Sequence, residues 1–192
     1  MDGLQHIIDK CVRQDRQSQR VLYEKYYGFA LKVSFRYTGS HEKAVDVVND
    51  GFVKVFQHLT QFHTGEAVHV EALLLGWIKK IMIHTAIDHL RKEKRRTHEV
   101  LVDPQQSREV PAQGAPDEGL LYKDLIGYLG NLSEGYRVVF NMSAIDGYSY
   151  TEIAQILGIS SGTVRSNFFK AKKTLQEMLK RRQERSIYVR PE

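Results

Sequence analysis

The chain has 192 residues, 42% of them hydrophobic, enough for one or two compact cores, and a net charge of +5 that favours a polyanionic partner. Its one cysteine, Cys11, excludes an intrachain disulfide, and no apolar run is long enough for a signal peptide or a bilayer span. A soluble protein of a reducing, cytoplasmic compartment is therefore expected, with no stable membrane insertion.

Taken in chain order, the apolar residues recur at helical spacing, and no segment alternates as a strand does. Leu22, Tyr26, Phe29, Val33 and Tyr37 form a first stripe. Gly39 breaks it, and Ser40 can cap the helix whose stripe is Ala44, Val48, Phe52, Val55 and Leu59. A polar loop, about 61–69, leads into a helix over about 71–96. That helix is apolar on two sides, Leu74, Trp77, Ile78 and Ile81 on one and Ile83, Ile87 and Leu90 on the other, so neighbours should sandwich it. It ends in a cationic run, Leu90 to Arg96, which complements a helix C-terminus.

The pattern stops at Thr97, and three of the four prolines, Pro104, Pro111 and Pro116, fall before Gly119. This is linker composition. Charge agrees: residues 1–98 carry 16 Lys+Arg against 11 Asp+Glu, residues 99–120 carry 1 against 5, and residues 121–192 carry 11 against 7. Two basic modules thus flank an acidic connector. Leu121, Leu125, Tyr128 and Leu132 restart a helix, and Ser133 can cap another that has Val139, Phe140 and Ile145 inside.

The last third is the richest in signals. Ser149 followed by Glu152 is a capping box, Gly158 supplies a left-handed helix end, and Ser160 caps a final helix striped by Val164, Phe168, Ala171, Leu175 and Leu179. Two helices joined by a tight Gly-containing turn make a helix-turn-helix, whose second helix can enter a DNA major groove. Arg165, Ser166, Asn167, Lys170, Lys172 and Lys173 lie off its apolar stripe, where they can meet phosphates and base edges. The expected fold is all-α: two small helical domains joined by a flexible linker, the C-terminal one containing the helix-turn-helix. The expected boundaries are 1–98, a linker over 99–119, 120–184, and a tail over 185–192.

Three segments in this order resemble the extracytoplasmic-function (ECF) group of bacterial sigma-70 factors: Ala44 to Phe62, Gly76 to Arg96, and Leu132 to Leu175. The resemblance implies a factor that binds RNA polymerase core, at its clamp and flap regions. It also implies recognition of promoter DNA, double- and single-stranded, and control by an anti-sigma factor. No cofactor and no catalytic residue are implied. On the first segment, Asp46, Asn49, Asp50, Phe52, Val53 and Phe56 match the polymerase-binding positions. Carboxylates and amides flanking apolar anchors suit a partner helix. In the loop before the second segment, His63, Thr64, Glu66 and His69 match the family's base-capturing loop of the −10 element. On that second segment, Lys79, Lys80, His84, Asp88, Arg91 and Arg95 match positions that hold the melting region. On the final helix, Ser161, Gly162, Thr163, Arg165, Ser166, Phe169, Lys170 and Lys173 match positions facing the −35 element, with Arg165 the best candidate for a guanine edge. The chain departs from the family at Gly51, inside the polymerase-binding helix, at Asn49-Asp50, where longer side chains are usual, and at Ile83-His84.

All 8 histidines lie before residue 99, which raises a metal-dependent hydrolase as a rival. The chain has neither an H-E-x-x-H motif nor a cysteine pair, and His84 and His89 do not share a helix face, so no metal site is expected. A dimeric transcription regulator that acts without polymerase is the other rival.

Overall fold

The computed structural model describes residues 3–63, 69–99 and 119–188, and side chains over 3–63, 69–96 and 125–181. Among these residues every regular element is a helix, and the chain divides into two compact units, Met1–Val102 and Asp103–Glu192. The expected linker lies outside the described residues except at its ends, Glu99 and Gly119, which are helical.

The first unit opens with a helix that the periodicity did not single out, α1, Gly3–Val12. It is short and buries only Ile8 and Cys11, too few apolar positions to define a stripe. Burial, with Asp15 adding to it, pushes the Cys11 thiol up to about 11, so this cysteine stays protonated and unreactive. Asp15 then caps α2, Arg16–Thr38, by accepting a 2.8 Å bond from the Ser18 backbone N–H. The core line of α2 is Leu22, Tyr26, Ala30, Val33 and Tyr37. The expected Phe29 is half-buried, and Ala30, one position on, takes the place against the neighbouring helices. Gly39 ends the helix at φ 66°, its N–H bonded to the Phe35 carbonyl at 2.9 Å. A side chain would be strained there.

Helix α3 spans His41–His58 and buries Ala44, Val47, Val48, Phe52 and Val55. Ser40 holds the extended conformation of an N-cap residue, but its hydroxyl makes no capping bond, so that expectation is corrected. A single 3₁₀ turn, Leu59–Gln61, follows, with Leu59 in the core. Helix α4, Val70–Glu99, packs against both α2 and α3. Leu74, Ile78, Met82, Ile83, Ala86, Ile87 and Leu90 are all buried, as a sandwiched helix requires. Each large apolar side chain buried this way contributes roughly 1.5–3 kcal/mol. Gly51 faces Met82 of α4: a Cβ there would lie 2.5 Å from Met82 Sδ and 2.7 Å from its Cε.

The second unit comprises α5, Gly119–Gly130; α6, Glu134–Phe140, continued by a π-helical turn over Asn141–Ile145; α7, Tyr150–Leu157; and α8, Ser161–Tyr188. Its core joins Leu129 and Leu132 to Ala171 and Leu175. Arg137 is buried at 9% exposure, and its guanidinium donates to the Gly130 and Leu132 carbonyls at 3.5 and 3.4 Å. It thereby satisfies carbonyls where α5 turns into α6. Several expectations change here. Ser133 occupies the N-cap position of α6 without a capping bond. Leu125 and Ile145 are exposed, at 37% each. A π-helical turn holds an extra residue, which rotates Ile145 off the inward line. Leu179 is 48% exposed because α8 continues past the core, which ends at Leu175. The helix also continues to Tyr188, beyond the boundary expected at 184.

The Gly51 approach gives a stability test. Gly51→Ala gains helix propensity of about 1 kcal/mol but drives a methyl into the buried Met82 thioether. We expect the single change to destabilise and the same change to stabilise when made in a Met82→Val background. A denaturant double-mutant cycle should give a coupling of about 1 kcal/mol or more; additive effects would mean that Met82 has room to move.

Candidate functional site

The second unit presents α8 as its outward helix. Ser149 caps α7 in a full capping box: Glu152 Oε2 accepts from the Ser149 N–H at 2.8 Å and from its hydroxyl at 2.7 Å, and the Glu152 N–H returns a 3.3 Å bond to Ser149 Oγ. Gly158 ends α7 at φ 68°, with its N–H on the Ala154 carbonyl at 2.9 Å. Two residues later Ser160 Oγ accepts the Thr163 N–H at 3.0 Å and opens α8. The turn between the helices is thus fixed at both ends by local hydrogen bonds.

Val164, Ala171 and Leu175 turn inward from α8. Phe168 is half-buried, stacked on Phe140 with ring centres 5.9 Å apart and beside Tyr150 at 5.8 Å. All eight residues expected to face DNA, Ser161, Gly162, Thr163, Arg165, Ser166, Phe169, Lys170 and Lys173, are exposed. Phe169 is the extreme case, at 69%. The first turn of α8 carries no acidic residue, so the helix N-terminus meets an approaching phosphate without repulsion. Lys172 differs from its neighbour Lys173: its Nζ sits 5.8 Å from the Phe168 ring centre, a cation–π contact that aims it toward the α6–α7 side.

In the first unit, α4 exposes Lys80, His84, Arg91 and Arg95, with Asp88 half-buried among them. These positions recur three and four apart and form one solvent stripe. Lys79 is off this line and half-buried. The His84 ring is solvent-exposed on its outer side, yet partial burial, with Lys54, Arg91 and Lys80 nearby, holds its pKa below the ordinary value; Asp88 opposes the shift. Its imidazole is therefore neutral at physiological pH, a hydrogen-bonding group rather than a cation.

Thr64 and Glu66 lie outside the described residues, while His63 and His69, on either side of them, are exposed. Both flanks of this loop are anchored. Phe62 packs on Trp77 of α4 at 5.4 Å. Glu71, in the first turn of α4, accepts from Tyr26 Oη at 3.1 Å and pairs with Lys25 Nζ at 2.9 Å.

Helix α3 exposes Asp46, Asn49, Asp50 and Val53, the last at 54%, and half-exposes Phe56. The contact role expected of Phe52 is corrected: at 2% exposure it supports the helix from beneath and cannot touch a partner. Two ion pairs and a hydrogen bond tie α3 to α4 on one side: Lys43 to Glu93 at 2.8 Å and Lys54 to Asp88 at 3.3 Å, with His89 Nε2 and Asp50 Oδ2 bonded at 2.7 Å. Thr38, Lys43, Asp46, Asp50, His89 and Arg96 are among the residues lining a polar cavity of about 290 Å³ there. The sequence reading missed Lys54, His89, Lys25 and Tyr23, because each acts through a partner on another helix. Among the described residues no three His, Cys, Asp or Glu side chains converge as metal ligands, and no helix is long and apolar enough to cross a membrane.

Known proteins share this arrangement of a helix bearing carboxylates and apolar anchors, packed beside a cationic helix and followed by a helix-turn-helix unit. Residues 22–96 match the sigma-70 region 2 family and residues 122–175 match the sigma-70 region 4 family, together more than half of the chain. The chain belongs to the sigma-70 family of transcription initiation factors, within its extracytoplasmic-function group. It is 26% identical over 181 residues to the ECF RNA polymerase sigma-E factor of Escherichia coli (strain K12), covering 89% of this chain and 91% of that one. Against the same-named factor of Haemophilus influenzae it is 23% identical over 185 residues, covering 91% and 94%. Among solved structures, the sigma factor RpoE in complex with the anti-sigma factor NepR, from Bartonella quintana, has the same fold. It superposes with a TM-score of 0.53 at 24% identity, over 84% of this chain and 96% of that one.

The anchor of α4 makes a pH prediction. Hydrogen bonds from Lys25 first and Tyr26 second hold the Glu71 carboxyl below its ordinary value of 4.5. A depressed carboxyl stabilises the fold above its unfolded pKa, and that contribution is lost as pH falls through the folded value. Glu71→Gln should therefore melt lower than the wild type at neutral pH, and the gap should close below pH 4.5. A gap that stays constant on acidification would remove Glu71 as the anchor.

Proposed function

We propose that this chain binds RNA polymerase core and directs it to particular promoters, reading the −10 element with its N-terminal unit and the −35 element with its C-terminal helix-turn-helix. The observation that carries the reading is the split of α8. Its inward stripe of Val164, Ala171 and Leu175 is buried, while every residue assigned to DNA is exposed on the other side. On that side the Arg165 guanidinium addresses a guanine edge, Phe169 offers an apolar ring to a thymine methyl group, and Lys170 and Lys173 hold phosphates.

In the first unit, Asp46, Asn49, Asp50, Val53 and Phe56 dock on the polymerase clamp. The cationic stripe of α4 holds the DNA where the strands part, and the loop bounded by His63 and His69, with Thr64 and Glu66, receives an unstacked base. Extruding a base costs a few kcal/mol, which contacts with the first unit must offset. The acidic stretch between the units passes through the polymerase and mimics nucleic acid until the transcript displaces it. The working limits of the parts are 1–98, 99–119, 120–184 and 185–192. The chain works in the cytoplasm. It carries no catalytic group of its own: the polymerase supplies the chemistry. An anti-sigma factor controls it by covering the docking surfaces. The solved relative RpoE, bound to NepR, makes such control reasonable.

Transcription in vitro with purified core polymerase on a genomic promoter library tests the whole reading. Transcripts should start at a shared promoter class only when the chain and core are both present. Operator binding and regulation without any affinity for core would replace it with the dimeric-regulator reading. At the level of one residue, Arg165→Ala should weaken discrimination at one position of the upstream element by about 1–3 kcal/mol, measured as the ratio of transcription from matched and mismatched promoters. An unchanged ratio would remove Arg165 from base reading.

A further inference from the structure

His89 of α4 reaches across to the exposed face of α3. Its Nε2 lies 2.7 Å from Asp50 Oδ2, and the two side chains differ in exposure, 25% for His89 and 59% for Asp50. An ionised carboxylate can only accept, so the imidazole is the donor and the direction of this bond is fixed. Oδ2 is held against α4, while Oδ1 makes no hydrogen bond among the described residues. Both residues line the polar cavity of about 290 Å³, to which α2 contributes Thr38 and no charge among the described residues. α3 adds Lys43 and Asp46 there, and α4 adds Lys92, Glu93 and Arg96. Lys43 and Glu93 pair at 2.8 Å, which leaves Lys92 and Arg96 to face Asp46 and Asp50. Of the residue types present, only histidine ordinarily changes charge between about pH 5 and 8.

We propose that His89 is a positioning residue of the polymerase-docking surface: it holds the Asp50 carboxylate ready for a cation of the polymerase core, and its own protonation weakens that docking. This rests on the docking reading above. The neutral imidazole orients the carboxylate and leaves its full charge to the partner. Holding the group in place before the partner arrives lowers the ordering cost of binding. Asp46 stands one turn earlier on the same helix, so two carboxylates face outward together. The partner chemistry that fits them is a guanidinium or an ammonium group. The protonated imidazole still donates to Asp50, but it is now a cation in contact with it. The pair has no net charge, and an approaching cation meets a positive ring directly behind the carboxylate. Lys92 and Arg96 already line the cavity, so the imidazolium adds to positive charge that Asp46 and Asp50 alone have to offset. Docking is therefore tightest while the ring is neutral and weakens as it gains its proton.

The test is a competition for purified core polymerase between the full-length wild type and full-length His89→Gln, run in one vessel from about pH 8.5 down to about pH 6, across the histidine range. Titration of the polymerase then affects both chains equally. His89→Gln keeps an N–H donor for Asp50 and takes up no proton. The ratio of wild-type to variant affinity should fall about fivefold on acidification, the effect of one extra charge near a solvated contact. His89→Ala lacks the donor as well, and at the upper pH it should bind several-fold more weakly than His89→Gln. Thermal melting of each chain, followed in parallel, should show all of them folded at the assay temperature. A ratio that stays constant, or rises as the pH falls, overturns the proposal. So does equal affinity of His89→Ala and His89→Gln at the upper pH. Val53→Asp separates the two levels: it should abolish docking at every pH. If it binds core as well as the wild type, the docking reading itself fails; if it abolishes docking while the ratio stays flat, only the role of His89 falls.

Discussion

The first unit depends on one constraint: α4 is buried along two of its faces. A helix that packs against α2 on one side and α3 on the other leaves only a narrow strip for solvent, and its rotation about its own axis is fixed by that burial. Fixing the rotation fixes where Lys80, His84, Arg91 and Arg95 point. It also fixes the neighbours. Gly51 lets α3 come close enough for the buried Met82 to fill the space a β-carbon would take, so a residue that weakens a helix in isolation tightens the packing of two. The departure from the family at Gly51 is therefore a packing feature of α3 and α4.

The same closeness explains the row of ion pairs from Lys43–Glu93 to Lys54–Asp88. Exposed pairs of this kind add little net stability, because holding two long side chains costs entropy and solvent screens them. Their value here is directional. Asp88 lies among the cationic residues of the exposed α4 stripe; Lys54 and Arg91, at 3.3 and 3.8 Å, offset its charge. On α3, Asp50 is held by a 2.7 Å hydrogen bond with His89. Lys43 with Glu93 and Lys54 with Asp88, separate charges along the chain, are partners in the folded unit.

The sequence made most of the helices legible because their signals are local. Ser149, Glu152 and Gly158 announce α7 within ten positions, and the structure makes each of the expected bonds. The two-sided apolar pattern from Leu74 to Leu90 announced a sandwiched helix, and α4 is one. What failed was equally physical. Ser40 and Ser133 stand where caps belong, yet their hydroxyls make no capping bond. The π-helical turn at Asn141–Ile145 shifted the register that helical spacing assumes and turned Ile145 outward. α1 buries too little to stand out. At the candidate site, the exposed face of α8 could be read from spacing alone, whereas the pairing of Tyr23 with Asn49, or Lys54 with Asp88, joins residues far apart in the chain and needs the fold to bring them together.

The two units solve recognition in different ways, and the difference follows from how each is stiffened. In the helix-turn-helix unit the bonds that set the turn are all short-range, so α8 is presented by local geometry and by a small core of Leu129, Leu132, Ala171 and Leu175. Such a unit is suited to reading an intact duplex, whose shape is already formed. The first unit is stiffened instead by contacts between residues far apart in the chain. Both flanks of its loop are held by long-range contacts, Phe62 on Trp77 and Glu71 on Lys25 and Tyr26, which draw on α2 and α4 together. Neither unit needs high affinity by itself: a connector that joins them makes the second contact intramolecular, so modest contacts multiply. An acidic connector fits that arrangement, since a basic one would compete with both units for the same phosphates.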